Sequence, residues 1–102
     1  MILERSFYMR DTLISAKEVL GKTLVHETSE GTTKGIIVET EAYLGTKDRA
    51  AHAYKGNTER TRVLFSSKGY SYVYLIYGIY CCFNISSGPA DNPECILIRA
   101  LE

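Results

Sequence analysis

The chain has 102 residues, 45% of them hydrophobic and 24% charged, a balance that suits one folded domain and excludes a disordered or collagen-like chain. Twelve basic and 12 acidic side chains give a formal charge of zero, so no global field draws the chain onto a polyanion. No run approaches about 18 uninterrupted apolar residues, and Glu4 breaks up the start of the chain, so a soluble intracellular protein is expected.

Asp11 or Thr12 is placed to cap a helix whose apolar positions Leu13, Ala16, Val19 and Leu20 share a side, with Gly21 to end it. Lys22 to Glu27 and Gly35 to Leu44 read as strands, joined through Ser29 to Thr33 as a hairpin loop. Gly45 to Asn57 has no sustained period, the mark of a long loop that carries function. Thr58 to Phe65 follows with one or two helical turns, capped by Asn57 or Thr58. Tyr70 to Tyr77 and Ile79 to Ser86 are rich in aromatic and β-branched residues, with Gly78 between them where a tight turn wants it. Ser87 to Pro93 is turn material, and Glu94 to Arg99 returns as a last strand. Strand-like sequence runs on to Glu102 with no turn or cap, so residues 1–102 are expected to be part of a larger domain whose C-terminal part is absent.

The predicted fold is α/β of the α+β type: a single domain with a curved antiparallel sheet and a few short helices. Cys81, Cys82 and Cys95 lack metal-type spacing and read as small buried apolar residues. No metal or cofactor is expected. Lys47, Arg49, Lys55, Arg60, Arg62 and Lys68 fall in one stretch, which either gathers positive potential on a loop or simply solvates it.

On a strand, residues two apart share a face, so Glu39, Glu41 and Tyr43 project together while Val38, Thr40 and Ala42 project the other way. At about 3.3 Å of rise per residue the two carboxylates start about 7 Å apart, near the spacing of paired acids that cleave glycosidic bonds. Their apolar surroundings point to a pocket on a buried strand, and a solvated strand face is the competing reading. Tyr72 and Tyr74 share a strand face, either as good sheet formers or as stacking walls. Tyr77, beside the turn at Gly78, suits a wedge that enters a duplex. Asn84 and Arg99 need partners if buried; grouped with Glu41 they would orient a water or read a base edge. His52 taken alone is weak evidence for a site.

Taken together, Val38-Glu39-Thr40-Glu41-Ala42-Tyr43-Leu44-Gly45, Ala50-Ala51-His52, Tyr72-Val73-Tyr74-Leu75-Ile76-Tyr77-Gly78, Asn84-Ile85-Ser86-Ser87 and Leu97-Ile98-Arg99-Ala100-Leu101-Glu102 carry a resemblance to the alkyladenine (3-methyladenine) DNA glycosylase family. The resemblance covers most of the chain from Gly21 onward. It implies a base-excision repair enzyme that flips alkylated or deaminated purines out of duplex DNA and hydrolyses the N-glycosidic bond, leaving an abasic site. Glu41 would be the general base, with Arg99 and the His52 carbonyl holding the attacking water. Tyr43, Tyr74 and the His52 ring would form the pocket, with Asn84 as a gate against guanine. Tyr77 would insert into the minor groove, and Lys55, Arg60 and Arg62 are candidates for the DNA backbone.

The same resemblance implies a water-dependent, monofunctional route without cofactor, and a partner that is double-stranded DNA carrying damaged purines, with no membrane. It also implies a monomer at full length, in the cytoplasm of a bacterium or the nucleus of a eukaryote. Where many members have Thr-Pro-Arg-Asn, this chain has Thr58-Glu59-Arg60-Thr61, which sets an acid in a DNA-facing segment. Two other readings stay open, a non-catalytic nucleic-acid binding module and a fragment that self-associates through an open strand edge.

Overall fold

A computed structural model describes residues 2–48, 51, 56, 61–65, 68–76, 80–89 and 92–102, leaving aside the side chains of Lys47, Tyr74, Leu75, Ile76, Tyr80 and Cys81. A 3-10 turn at Arg5–Met9 leads into α1 (Thr12–Glu18), then β1 (Thr23–Thr28) and β2 (Gly31–Tyr43). Among the described residues, 3-10 turns at Gly45–Lys47 and Arg62–Phe65 precede β3 (Ser71–Ile76), β4 (Tyr80–Ser87) and β5 (Glu94–Leu101). The strands form one curled antiparallel sheet in the order β1-β2-β5-β4-β3, so the fold is α+β as the sequence predicts. Among the described residues no helix is long and apolar enough to cross a membrane.

Asp11 caps α1, its carboxylate accepting from the backbone nitrogens of Leu13 at 2.9 Å and Ile14 at 3.2 Å. The inward face of the helix differs from the predicted one. Leu13 and Leu20 are exposed, and Thr12 and Ser15 join Ala16 and Val19 inside. Burying those two hydroxyls is tolerable because each has a partner: Thr12 shares a 2.9 Å hydrogen bond with Ser87, and Ser15 donates to the Phe7 carbonyl at 3.0 Å.

The first hairpin is tighter than the sequence suggests. Thr28 lies opposite Gly31, so Ser29 and Glu30 alone make the turn and β2 starts four residues earlier than predicted. Gly31 takes φ +138°, a backbone value that side chains other than hydrogen rarely adopt. After β2, Gly45 at φ +78° lies so close to Pro93 that an added Cβ would come within 3.2 Å of its carbonyl oxygen. That contact draws the start of the long loop onto the turn before β5.

Apolar clusters lie on both faces of the sheet. Ile37, Ile85, Ile96 and Ile98 pack with Ala16 and Val19, with Phe7, Tyr8, Leu24, Ala42 and Phe83 around them. On the opposite face Leu64, Tyr72 and Cys95 form a smaller cluster, with Tyr43, Val63 and Phe65 against it. Cys95 is buried as expected, but Cys82 is only half-buried. Ile96 is fully enclosed. Ile96→Ala is therefore expected to lower the unfolding free energy by about 2–5 kcal/mol in urea titrations, while Val73→Ala, on a residue 53% exposed, should change it by no more than about 0.5 kcal/mol.

Candidate active site

The junction of β2 and β5 is locally irregular. Ile37 pairs with Leu101, Glu39 with Ala100 and Thr40 with Ile98, which leaves Val38 on β2 and Arg99 on β5 with no residue directly opposite. The two irregularities cancel, so regular pairing resumes at Thr40. Such steps bend a strand and re-aim its side chains. Val38 is pushed out to 42% exposure, so this part of β2 is not the buried strand its apolar sequence suggests. Arg99 reaches across to two carboxylates: its Nε lies 3.4 Å from Glu39 Oε1, and its Nη1 donates to Glu41 Oε2.

From the other side the Tyr43 hydroxyl donates to Glu41 Oε1 at 2.5 Å. Glu39, Glu41 and Tyr43 therefore share one face, as alternation predicts, and Arg99 joins them there. Both Glu41 oxygens are engaged, yet a carboxylate has about four acceptor sites, so each oxygen keeps room for a water or a substrate proton. The Glu41 side chain is 32% exposed, while Glu39 and Arg99 are open at 56% and 61%. The Tyr43 hydrogen bond, followed by that from Arg99, holds the Glu41 carboxyl below the usual glutamate range of 4.5, outweighing the upward push of partial burial. Reciprocally, Glu41 holds the Arg99 proton still more firmly.

Register extends this face across the sheet. Glu41 lies opposite Leu97, Leu97 opposite Asn84, and Asn84 opposite Tyr72. Three inter-strand steps of about 4.8 Å put Glu41 and Tyr72 about 14 Å apart along a flat sheet, and curling shortens that span. Between them the floor is closed. Asn84 is 1% exposed, donating to the Tyr72 carbonyl at 3.2 Å and accepting from the Cys95 thiol at 3.7 Å. Burial pushes the Cys95 thiol up to about 12, which keeps it protonated and inert as a nucleophile.

The structure thus brings together Glu41, Tyr43 and Arg99 on an open face, with Asn84 in the floor two strands from Glu41. Tyr74 has its backbone opposite Cys82, and its side chain lies outside the described set. His52, Lys55, Arg60 and Tyr77 lie outside the described residues. Arg62 is exposed at the start of a 3-10 turn. Lys68, counted in the basic stretch, does not contribute to a charged surface. It is 2% exposed, and its ammonium donates to the carbonyls of Leu64, at 2.9 Å, and Asn92.

Sequence reasoning missed two parts of the site. One is Glu39 as the second carboxylate on Arg99, for which the Glu-x-Glu spacing was the available signal. The other is the Tyr43 hydroxyl as a hydrogen-bond donor to Glu41. Among the described residues no three His, Cys, Asp or Glu side chains come together as a metal ion would require.

Residues 6–102 match the family model described as methylpurine-DNA glycosylase. A Clostridium botulinum protein is 56% identical over 103 aligned positions, which take in all of this chain and 51% of the relative. A Clostridium acetobutylicum protein is 52% identical, again over the whole chain and 50% of its own length. A Bacillus cereus protein is 54% identical over 95% of this chain and 48% of its own. All three carry the name "Putative 3-methyladenine DNA glycosylase". The chain spans about half the length of these curated relatives. With nearly every residue inside the matched region, the chain belongs to the methylpurine-DNA glycosylase family.

Proposed function

We propose that residues 1–102 are the N-terminal half of a DNA glycosylase domain acting in base-excision repair, with Glu41 at the centre of its chemistry. The observation that carries this reading is the Glu41 carboxylate on an open sheet face, ionised and steadied by the Tyr43 hydroxyl and the Arg99 guanidinium. The relatives' printed names favour 3-methyladenine as a lesion.

In the proposed reaction a damaged purine is extruded from duplex DNA at a cost of a few kcal/mol, which weakened pairing reduces. A water shared by Glu41 and Arg99 attacks the anomeric carbon of the deoxyribose. The bond between that carbon and the purine nitrogen breaks, its electron pair leaves with the base, and Glu41 takes the proton of the water. A cationic alkylated purine departs as a neutral molecule, whereas a neutral deaminated one needs a proton. The products are free base and an abasic site. Tyr43, through its ring, and Tyr74 serve as stacking walls, His52 as a third wall and, through its carbonyl, a holder of the water. Tyr77 acts as the inserted wedge, Asn84 as the gate, and Lys55, Arg60 and Arg62 as phosphate contacts. Buried Asn84 suits this gate only at its edge, because its amide already serves Tyr72 and Cys95.

Base release from duplexes carrying 3-methyladenine, hypoxanthine or ethenoadenine tests the proposal, with this chain and with the same residues inside a family-length protein. Glu41→Gln is expected to slow release by about 10²- to 10⁴-fold, the usual worth of a positioned general base. A variant as fast as the parent would falsify the role of Glu41. DNA binding that is steep in salt with no free base at any time would instead identify a non-catalytic module.

A pH dependence follows from the direction of the Glu41 shift. The carboxyl is held below 4.5 in the folded chain, so its ionised form, and the stability its partners add, are present above the unfolded pKa and lost as pH falls through the folded one. Tyr43→Phe keeps the ring and removes the donor. It should raise the Glu41 midpoint read from its carboxyl carbon by NMR, moving the acid limb of the rate profile upward with it; an unmoved midpoint would show that the phenol hydrogen bond is immaterial.

A further inference from the structure

Lys68 is a charged side chain enclosed to 2% exposure, and an ammonium withdrawn from water persists only where fixed acceptors replace the lost hydration. Those acceptors belong to two segments far apart in sequence. The Leu64 carbonyl, 2.9 Å from Nζ, lies in the 3-10 turn Arg62–Phe65, and the Asn92 carbonyl lies in the turn that leads into β5. The Lys68 backbone is tied down as well. Its carbonyl accepts from Arg5 at 2.8 Å, and the Arg5 guanidinium lies 4.3 Å from the Tyr70 ring centre. Gly69 then donates to the Ser86 carbonyl at 2.7 Å, fixing the segment to β4.

What the ammonium pins is the roof of the smaller apolar cluster. Leu64, on the pinned turn, packs with Tyr72 and Cys95, and Tyr43 packs against that cluster. The Tyr43 hydroxyl, at the far end of the same side chain, holds Glu41. We propose that Lys68 is a positioning residue of the candidate site, clamping the Arg62–Phe65 turn so that Tyr43 is seated with its hydroxyl on Glu41. This rests on Glu41 being the reactive group proposed above. The action is through packing and not through charge. Among the described residues the charge bearing on Glu41 is Arg99, on which Glu39 bears in turn, whereas Lys68, Asp48 and Glu94 bear on Cys95.

The test reads Glu41 directly. In Lys68→Met, which keeps most of the unbranched stem and removes the clamping ammonium, the Glu41 carboxyl midpoint by carbon NMR should rise toward that of Tyr43→Phe. In a Tyr43→Phe background, Lys68→Met should add no further shift. An unchanged midpoint, or a shift that adds fully to that of Tyr43→Phe, overturns the proposal. Should Lys68→Met not fold, the unmutated chain supplies the second measurement. The Leu64 methyl and Lys68 Nζ signals should move on acidification with the Glu41 midpoint, and that common midpoint should vanish in Glu41→Gln. Signals that stay fixed through the Glu41 midpoint overturn it equally. Neither measurement depends on base release, so a loss of the glycosylase reading and a loss of the Lys68 coupling would be told apart.

Discussion

The candidate site depends on one side chain, the Glu41 carboxylate, being held at both oxygens by different elements of the fold. Tyr43 reaches it from the same strand and Arg99 from the neighbouring one. In strictly regular pairing Arg99 would lie opposite Glu39 alone. The paired irregularity at Val38 and Arg99 loosens that constraint without changing the register on either side, and the guanidinium spans both acids. An exposed ion pair of this kind adds little to stability, commonly about 1 kcal/mol or less. Its value lies in fixing the direction in which Glu41 presents its free acceptor sites.

Central strand β5 explains how so small a sheet supports that arrangement. Its residues alternate between the two clusters, Ile96 and Ile98 toward α1 and Cys95 toward the Arg62–Phe65 turn. The helix side supplies most of the buried aliphatic surface, at about 1.5–3 kcal/mol for each fully enclosed side chain. The site side is thinner and carries polar groups that must all be satisfied, which Asn84 and Lys68 achieve by bonding main-chain carbonyls. Tyr43 bridges the two roles, its ring in the cluster and its hydroxyl at the site.

Alternation made the acidic face legible in the sequence, because Glu39, Glu41 and Tyr43 keep a period of two right up to the chain's sharp turn at Gly45. The strands were legible for the same reason, and the helix through its Asp11 cap and the glycine that ends it. What the sequence hid were features set by partners far along the chain. Thr12 and Ser15 look like solvent-facing positions until Ser87 and the Phe7 carbonyl are brought to them. Lys68 looks like part of a basic loop, and only the folded positions of Leu64 and Asn92 make it a buried clamp. The inward face of α1 rotated away from Leu13 and Leu20 for that reason, since satisfied hydroxyls compete with apolar side chains for the interior.

The electrostatics at Glu41 bear on which part of the proposed chemistry it performs best. A carboxyl held below its ordinary range is a weak base, so taking a proton from water early in the reaction suits it poorly. It is, however, ionised whenever the sugar becomes positive, and opposite charges about 4 Å apart attract by about 4 kcal/mol at an effective dielectric of about 20. Arg99 alone would cancel that field. Glu39 prevents the cancellation: two carboxylates around one guanidinium leave one net negative charge on the cluster. On the glycosylase reading, Glu41 therefore stabilises the departing purine's sugar first and accepts the water proton late, when attack is well advanced and that proton has become acidic. Such an order favours bases that leave readily, the cationic alkylated purines, over neutral ones that need a separate acid.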